Sequence, residues 1–176
     1  MTALSQTNRG LLDRGLISRV RRNHGLEHAT LHVLTEGFPG RPLAGHSDVG
    51  GFWIIGELET PDVISAAEEA LARLQAGERR LAVHPSCGTN FATAGVLAGL
   101  AAGAAMFGAG RKLRTNIERL PAAIMLATLA LVVAQPLGLL VQERFTTSGE
   151  PGSLQVVEVK RVQNSRLPVH RVATQG

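Results

Sequence analysis

The sequence predicts an α+β membrane protein: a small soluble α/β layer carried on a two-helix transmembrane hairpin. The layer comprises a histidine-bearing helix, a short antiparallel sheet and a second helix. Three observations predict this class. Two long stretches, Phe91 to Ala109 and Leu120 to Val141, contain no charged residue. The segments before and after them alternate between helix-type and strand-type patterning. A chain of 176 residues with 44% apolar content is long enough to bury one real core and too apolar for general disorder. The expected organisation is an N-terminal tail over 1–15, a soluble metal-site region over 16–90, a hairpin over 91–141 (helices 91–109 and 120–141), and a C-terminal β-ribbon over 142–176 that packs on the soluble region.

The hairpin follows from length and charge. At about 1.5 Å rise per residue, each apolar stretch spans roughly 30 Å, the thickness of the hydrocarbon core of a bilayer. The connection "GRKLRTNIER" is short and basic. A hairpin returns the chain to one side, which brings the segments before and after it together. In the first stretch Gly95, Gly99 and Gly103 recur at four-residue spacing, the pattern of a smooth face for helix packing, either against the second helix or in a homo-oligomer. Gln135 and Pro136 predict a kink or an early exit of the second helix. Orientation is undetermined by charge, because Arg111, Lys112, Arg114 and Arg119 in the loop face Arg79, Arg80, Arg144, Lys160 and Arg161 on the other side.

The elements of the soluble layer are read in order. Leu16 to about Glu36 is helical in period, with Leu16, Val20, His24, Leu31 and Leu34 on a repeating face and Gly37 placed to end it. "GGFWIIGEL", Gly50 to Leu58, reads as a strand. Thr60 is placed to cap a helix that has Pro61 at its first position, Asp62 in its first turn and Gly77 beyond its end. "RRLAV", Arg79 to Val83, reads as a short strand. "SLQVVEVKRV" and "PVHRVAT" are two further β-type runs, able to complete a sheet with the strand around Trp53.

Composition narrows the partners. The net charge is +4, with no Tyr and one Trp. Aromatic stacking on nucleic-acid bases is therefore hard to build, and the charge suits an anionic lipid surface equally well. A single cysteine, Cys87, cannot close an intramolecular disulfide, which favours a cytosolic face. Charges interrupt every apolar run before Asn23, so the start of the chain lacks the pattern of a secretory signal.

The chemistry is concentrated in "RRNHGLEHATLHVL", Arg21 to Leu34. His24 and His28 are four apart and share a helix face, the spacing by which two imidazoles reach one ion. With Glu27 they form H-x-x-E-H, the reverse of the H-E-x-x-H zinc helix, in which the glutamate is the general base. His32 continues the face. A polar helix face in water is the plain alternative, and a third ligand is needed to decide. "HPSCGTN" offers His84 or Cys87, three residues apart across a turn stiffened by Pro85, with Thr89 or Asn90 placed to cap the following helix. "AGHSDVGG" adds His46 and Asp48 as further candidate ligands or acceptors, although a surface turn is its simpler reading. His170 reads as solvated.

Three segments resemble the YqhQ-like family of bacterial membrane proteins, whose members have no assigned function and are predicted metal-dependent enzymes. "HGLEHATLHVLTEG" is similar to that family's His-Gly-Ala-Glu-His-Lys segment with a downstream Glu-x-Gly. "HPSCGTNF" is similar to its His-Pro-Arg-Cys-Gly-Thr segment at the head of a membrane helix. "PLGLLVQERFTTSGEP" is similar to its Gly-Leu-x-x-Gln followed by Thr-Thr and Glu-Pro. Ser86 stands in place of that Arg and Ala29 in place of that Lys. The resemblance implies a metal site through His24, Glu27, His28, His84 and Cys87.

The resulting expectation is a membrane-embedded zinc-dependent hydrolase, a metallopeptidase being one form. His24, His28 and either His84 or Cys87 would be its ligands, and Glu27 the base acting on a peptide or other acyl substrate at the bilayer surface. The rival expectation is a non-catalytic scaffold or complex subunit in which the same donors close a structural zinc site.

Overall fold

The computed structural model describes residues 15–108, 110, 113–162 and 167–176. The tail expected over 1–15 thus lies outside the described residues except for Gly15, as do Arg111 and Lys112 of the connecting loop. The chain divides into two compact units: Met1–His84 with Glu143–Gly176, and Pro85–Gln142.

In the first unit, helix α1 (Gly15–Gly37) precedes strands β1 (Ala44–Asp48) and β2 (Gly51–Ile55), helix α2 (Thr60–Gln75) and a 3-10 turn (Arg79–Ala82). Strands β3 (Gln155–Val162) and β4 (Val169–Gln175) follow from the C-terminal segment. The strands form one antiparallel sheet in the order β1-β2-β4-β3. The C-terminal ribbon does join the strand around Trp53, which pairs with Arg171 of β4.

Period-2 alternation decides the faces of this sheet. Phe52 and Ile54 of β2 pair with Val172 and His170 of β4, and all four are fully buried. Phe52, Ile54 and Val172 meet Leu26, Ala29 and Leu34 of α1 and Val63, Ala67 and Ala70 of α2 in one core. Each fully buried large apolar side chain there contributes about 1.5–3 kcal/mol relative to exposure. The opposite face carries Trp53 and Arg171, with the Arg171 guanidinium 4.7 Å over the Trp53 ring.

Several local expectations are corrected. β1 falls inside the Gly-rich stretch expected to be a surface turn. It closes a hairpin with β2 whose turn is held by Gly50 N–H donating to Asp48 Oδ1 at 2.7 Å. "RRLA" forms a 3-10 turn rather than a strand, because its Ala82 carbonyl and the next one, Val83, accept hydrogen bonds from histidine side chains instead of a ladder. Thr60 does not cap α2: Glu59 holds the cap position, and Thr60 Oγ1 lies 3.2 Å from His170 Nε2. His170 is fully buried rather than solvated.

The second unit holds helices α3 (Gly88–Met106) and α4 (Leu113–Val141), which pack against each other. Both are long and apolar enough to cross a membrane. α4 begins earlier than the apolar run, taking in Arg114 and Glu118, and it continues past Pro136 to Val141 instead of exiting there. A π-type turn, Gln142–Thr146, follows it. α3 starts at Gly88 with Cys87 at its cap position, so neither Thr89 nor Asn90 caps it. Asn90 instead donates to the Pro85 carbonyl at 2.7 Å and accepts from Gln142 Nε2 at 2.5 Å.

The glycines that let these helices approach are not those the spacing suggested. A Cβ built at Gly95, Gly99 or Gly103 would meet nothing within 4 Å among the described residues. One built at Gly138 would lie 2.5 Å from Asn90 Oδ1 and 3.1 Å from Asn90 Cα. The close approach of α3 and α4 is therefore at Gly138, and the three-glycine face points away from it.

Candidate metal centre

α1 is the central helix of the first unit, and its middle is buried almost all round: Asn23, Leu26, Glu27, His28, Ala29 and Thr30 are each at most 4% exposed. A helix so enclosed must seat its polar side chains on defined partners. Asn23 donates to the Asp48 carbonyl at 2.8 Å and accepts from Thr174 Oγ1 at 2.7 Å. Arg19, Arg21 and Arg22 donate to carbonyls of the C-terminal segment, among them Thr174, Thr147 and Pro151. These contacts bind the returning chain to α1.

Gly25 makes that return possible. A Cβ at this position would overlap the Ser148 carbonyl oxygen and sit 3.2 Å from Ala82 Cβ. Ser148 N–H accordingly reaches the Arg21 carbonyl at 2.9 Å. The segments around Ala82 and Thr146 thus lie directly over the histidine face of α1.

Each of the three helix histidines uses one ring nitrogen on a backbone carbonyl. His24 Nδ1 lies 3.0 Å from the Thr146 carbonyl, His28 Nδ1 2.9 Å from that of Ala82, and His32 Nε2 3.0 Å from that of Val83. A carbonyl only accepts, so the contacting nitrogen is the N–H donor in each case. The lone pair then resides on Nε2 of His24 and His28 and on Nδ1 of His32. This is the arrangement by which a protein orients imidazoles as metal ligands.

The fourth ring is His84. Ring centroids are 4.4 Å apart for His24 and His28, 5.8 Å for His28 and His84, and 4.8 Å for His32 and His84. Two imidazoles sharing a tetrahedral ion at a metal–nitrogen distance of 2.0–2.1 Å hold their centroids roughly 5 Å apart. The His24–His28 and His32–His84 spacings are close to that value, and the His28–His84 spacing is wider. Burial, and then the neighbouring His32, hold the His84 imidazole below its usual pKa, which favours the neutral form that binds a metal.

The remaining candidates are Glu27, His46, Asp48 and Cys87. Glu27 is buried with its carboxylate against Gly45 of β1, where a Cβ would overlap it. His46 is exposed and pairs with Trp53, on the sheet face opposite the helices. Asp48 points to that same outer face and holds Arg171 in a bidentate pair at 2.7 and 2.8 Å. The Arg171 bond lowers the Asp48 pKa first, opposed by burial and aided by Gly50 N–H. His46 and Asp48 are thus not brought to the histidine cluster. Cys87 is buried at the head of α3, in the second unit.

Sequence reasoning missed Gly25 and the three carbonyls that orient the rings. Gly25 carried a usable signal, since a glycine inside a helix costs about 1 kcal/mol relative to alanine and so marks a close approach. The carbonyls carried none, because any residue supplies one.

Residues 19–159 match the model of a domain of unknown function (DUF6391). The chain belongs to this DUF6391 family. The match takes in α1 with its histidines, the turn at His84 and both apolar helices. An uncharacterized protein of Picosynechococcus sp. is 34% identical over 154 residues, covering 76% of this chain and 75% of its own length. No solved structure matches the chain. DUF6391, not the YqhQ-like family, is thus the membership shown.

Proposed function

We propose that this DUF6391 protein is a zinc-dependent hydrolase of the bacterial cytoplasmic membrane, with its metal site at the membrane surface on the cytoplasmic side. The observation that carries the reading is the fixing of the His24 and His28 tautomers by the Thr146 and Ala82 carbonyls. Solvated histidines on a polar helix face would not need such partners. α3 and α4 would anchor the site in the lipid bilayer, as their length and composition allow. The three segments similar to the YqhQ-like family support the same reading.

His24 and His28 would hold zinc through Nε2, and the Cys87 thiolate, three residues past His84 in the chain, would be the third donor. Zinc there would supply Lewis acidity and a coordinated water of lowered pKa. Glu27 would accept the proton of that water, and a peptide or other acyl group at the bilayer surface would be the substrate.

A specific observation favours a second reading, in which the site is closed and structural. The Glu27 carboxylate lies against Gly45 of β1, a packing role that needs no reacting water. The protein would then be a scaffold or a subunit of a membrane complex.

Metal analysis of protein purified in mild detergent tests the shared premise. His24→Ala and Cys87→Ala should each lose about one equivalent of zinc relative to the wild type. Unchanged zinc in both variants overturns both readings. Glu27→Gln separates them: in the hydrolase it keeps metal and fold while abolishing cleavage of fluorogenic acyl and peptide substrates in vesicles. A wild type that binds zinc and cleaves none of these favours the closed site.

A further inference from the structure

The imidazoles of His24, His28, His32 and His84 are unevenly spaced. His24 and His28 form one close pair at 4.4 Å and His32 and His84 another at 4.8 Å, while the link between the pairs, His28 to His84, is wider at 5.8 Å. We propose that His32 and His84 form a second divalent transition-metal site beside the one assigned to His24 and His28.

Three features support it. The His32–His84 spacing is close to the roughly 5 Å that two imidazoles adopt around a shared tetrahedral ion. The Val83 carbonyl takes the proton on His32 Nε2, which puts the lone pair of that ring on Nδ1. Both rings are half-buried, so the pair is held by the fold yet reaches solvent, unlike His28, which is 2% exposed. His84 is also the residue just before Pro85, which restricts its backbone toward extended conformations.

Two protein ligands leave coordination positions for water or for an oxygen of a substrate. That is one protein ligand fewer than a catalytic zinc site usually has, so such an ion would be open and exchange readily. Imidazole donors of this kind favour zinc, copper or nickel over calcium or magnesium. The inference deepens the hydrolase reading by giving its centre a second, more open ion. The His32–His84 pair binds on its own geometry, whatever His24 and His28 hold.

Cobalt(II) added to metal-free protein in mild detergent distinguishes the sites, because thiolate ligation produces an intense charge-transfer absorption that imidazole ligation lacks. The wild type should saturate at about two equivalents of cobalt, one with the charge-transfer band and one without. His32→Asn should saturate at about one and keep the band, whereas His24→Asn should lose the band and keep the other ion. His32→Gln and a circular dichroism spectrum guard against an unfolded variant. Wild type saturating at about one equivalent that carries the thiolate band overturns the second site, as does His32→Asn or His32→Gln saturating like the wild type. If the thiolate band is absent and His24→Asn changes nothing, while His32→Asn still loses an ion, the first site fails and the second stands.

Discussion

Gly25→Ala is the substitution on which sequence and structure disagree most sharply in sign. In an exposed helix interior, glycine to alanine stabilises by about 1 kcal/mol. In α1 the added Cβ would overlap the Ser148 carbonyl and press to 3.2 Å of Ala82 Cβ. The returning chain has to move, and two bonds go with it: Ser148 N–H to the Arg21 carbonyl at 2.9 Å and His24 Nδ1–H to the Thr146 carbonyl at 3.0 Å. Each such bond is worth about 1 kcal/mol net, and overpacking adds about 1–3 kcal/mol. Against the helix gain of about 1 kcal/mol, the expected net loss is about 2–4 kcal/mol. Urea unfolding in mild detergent, followed by the fluorescence of the single Trp53, measures it. The same displacement removes the group that orients His24, so zinc affinity should fall roughly 10- to 100-fold in a competition titration. A Gly25→Ala protein as stable as the wild type, with unchanged zinc affinity, would refute the reasoning.

Other substitutions separate structural from chemical roles. Asn23→Ala deprives the Asp48 carbonyl and the Thr174 hydroxyl of their buried partner and should cost about 2–4 kcal/mol by the same urea assay, without removing metal. Burial and then Arg161 hold the His170 imidazole below its usual pKa, against a smaller opposing effect of Glu59. The unfolded chain therefore takes up this proton first as pH falls. The stability contributed by neutral His170 is complete above about pH 6.5 and is lost as pH drops toward its lower folded pKa. His170→Gln should flatten the urea midpoint against pH in that window, and an unchanged slope would count against the burial argument. Gly99→Ala meets open space and should leave the thermal stability of the α3–α4 pair the same or slightly higher. A marked loss in the detergent-solubilised monomer would show that this face does carry the contact between the two helices.

How much of this was legible in the sequence can be traced residue by residue. The period of Leu16 to Glu36, the run "GGFWII", the helix after Thr60 and both apolar stretches were readable, because each pattern arises within a single element. β1 was not, since Ala-Gly-His-Ser-Asp has little β propensity and becomes a strand only by pairing with β2. His170 read as solvated among basic neighbours. Its burial comes from facing α2 across the sheet, which a local window does not reveal.

The sequence by itself determined the two long apolar helices, the i, i+4 histidine pair on α1 and the presence of a further imidazole and thiol just before α3. These follow from spacing along one chain and from the physics of a helix. The tertiary structure decided which donors meet. It placed the Ala82, Val83 and Thr146 carbonyls over α1, brought His84 to His28 and His32, and turned His46 and Asp48 to the other face of the sheet. It also moved the helix-packing role from Gly95, Gly99 and Gly103 to Gly138. Such outcomes depend on contacts between residues far apart in the chain, and the pairing register and the close approach at Gly25 set them.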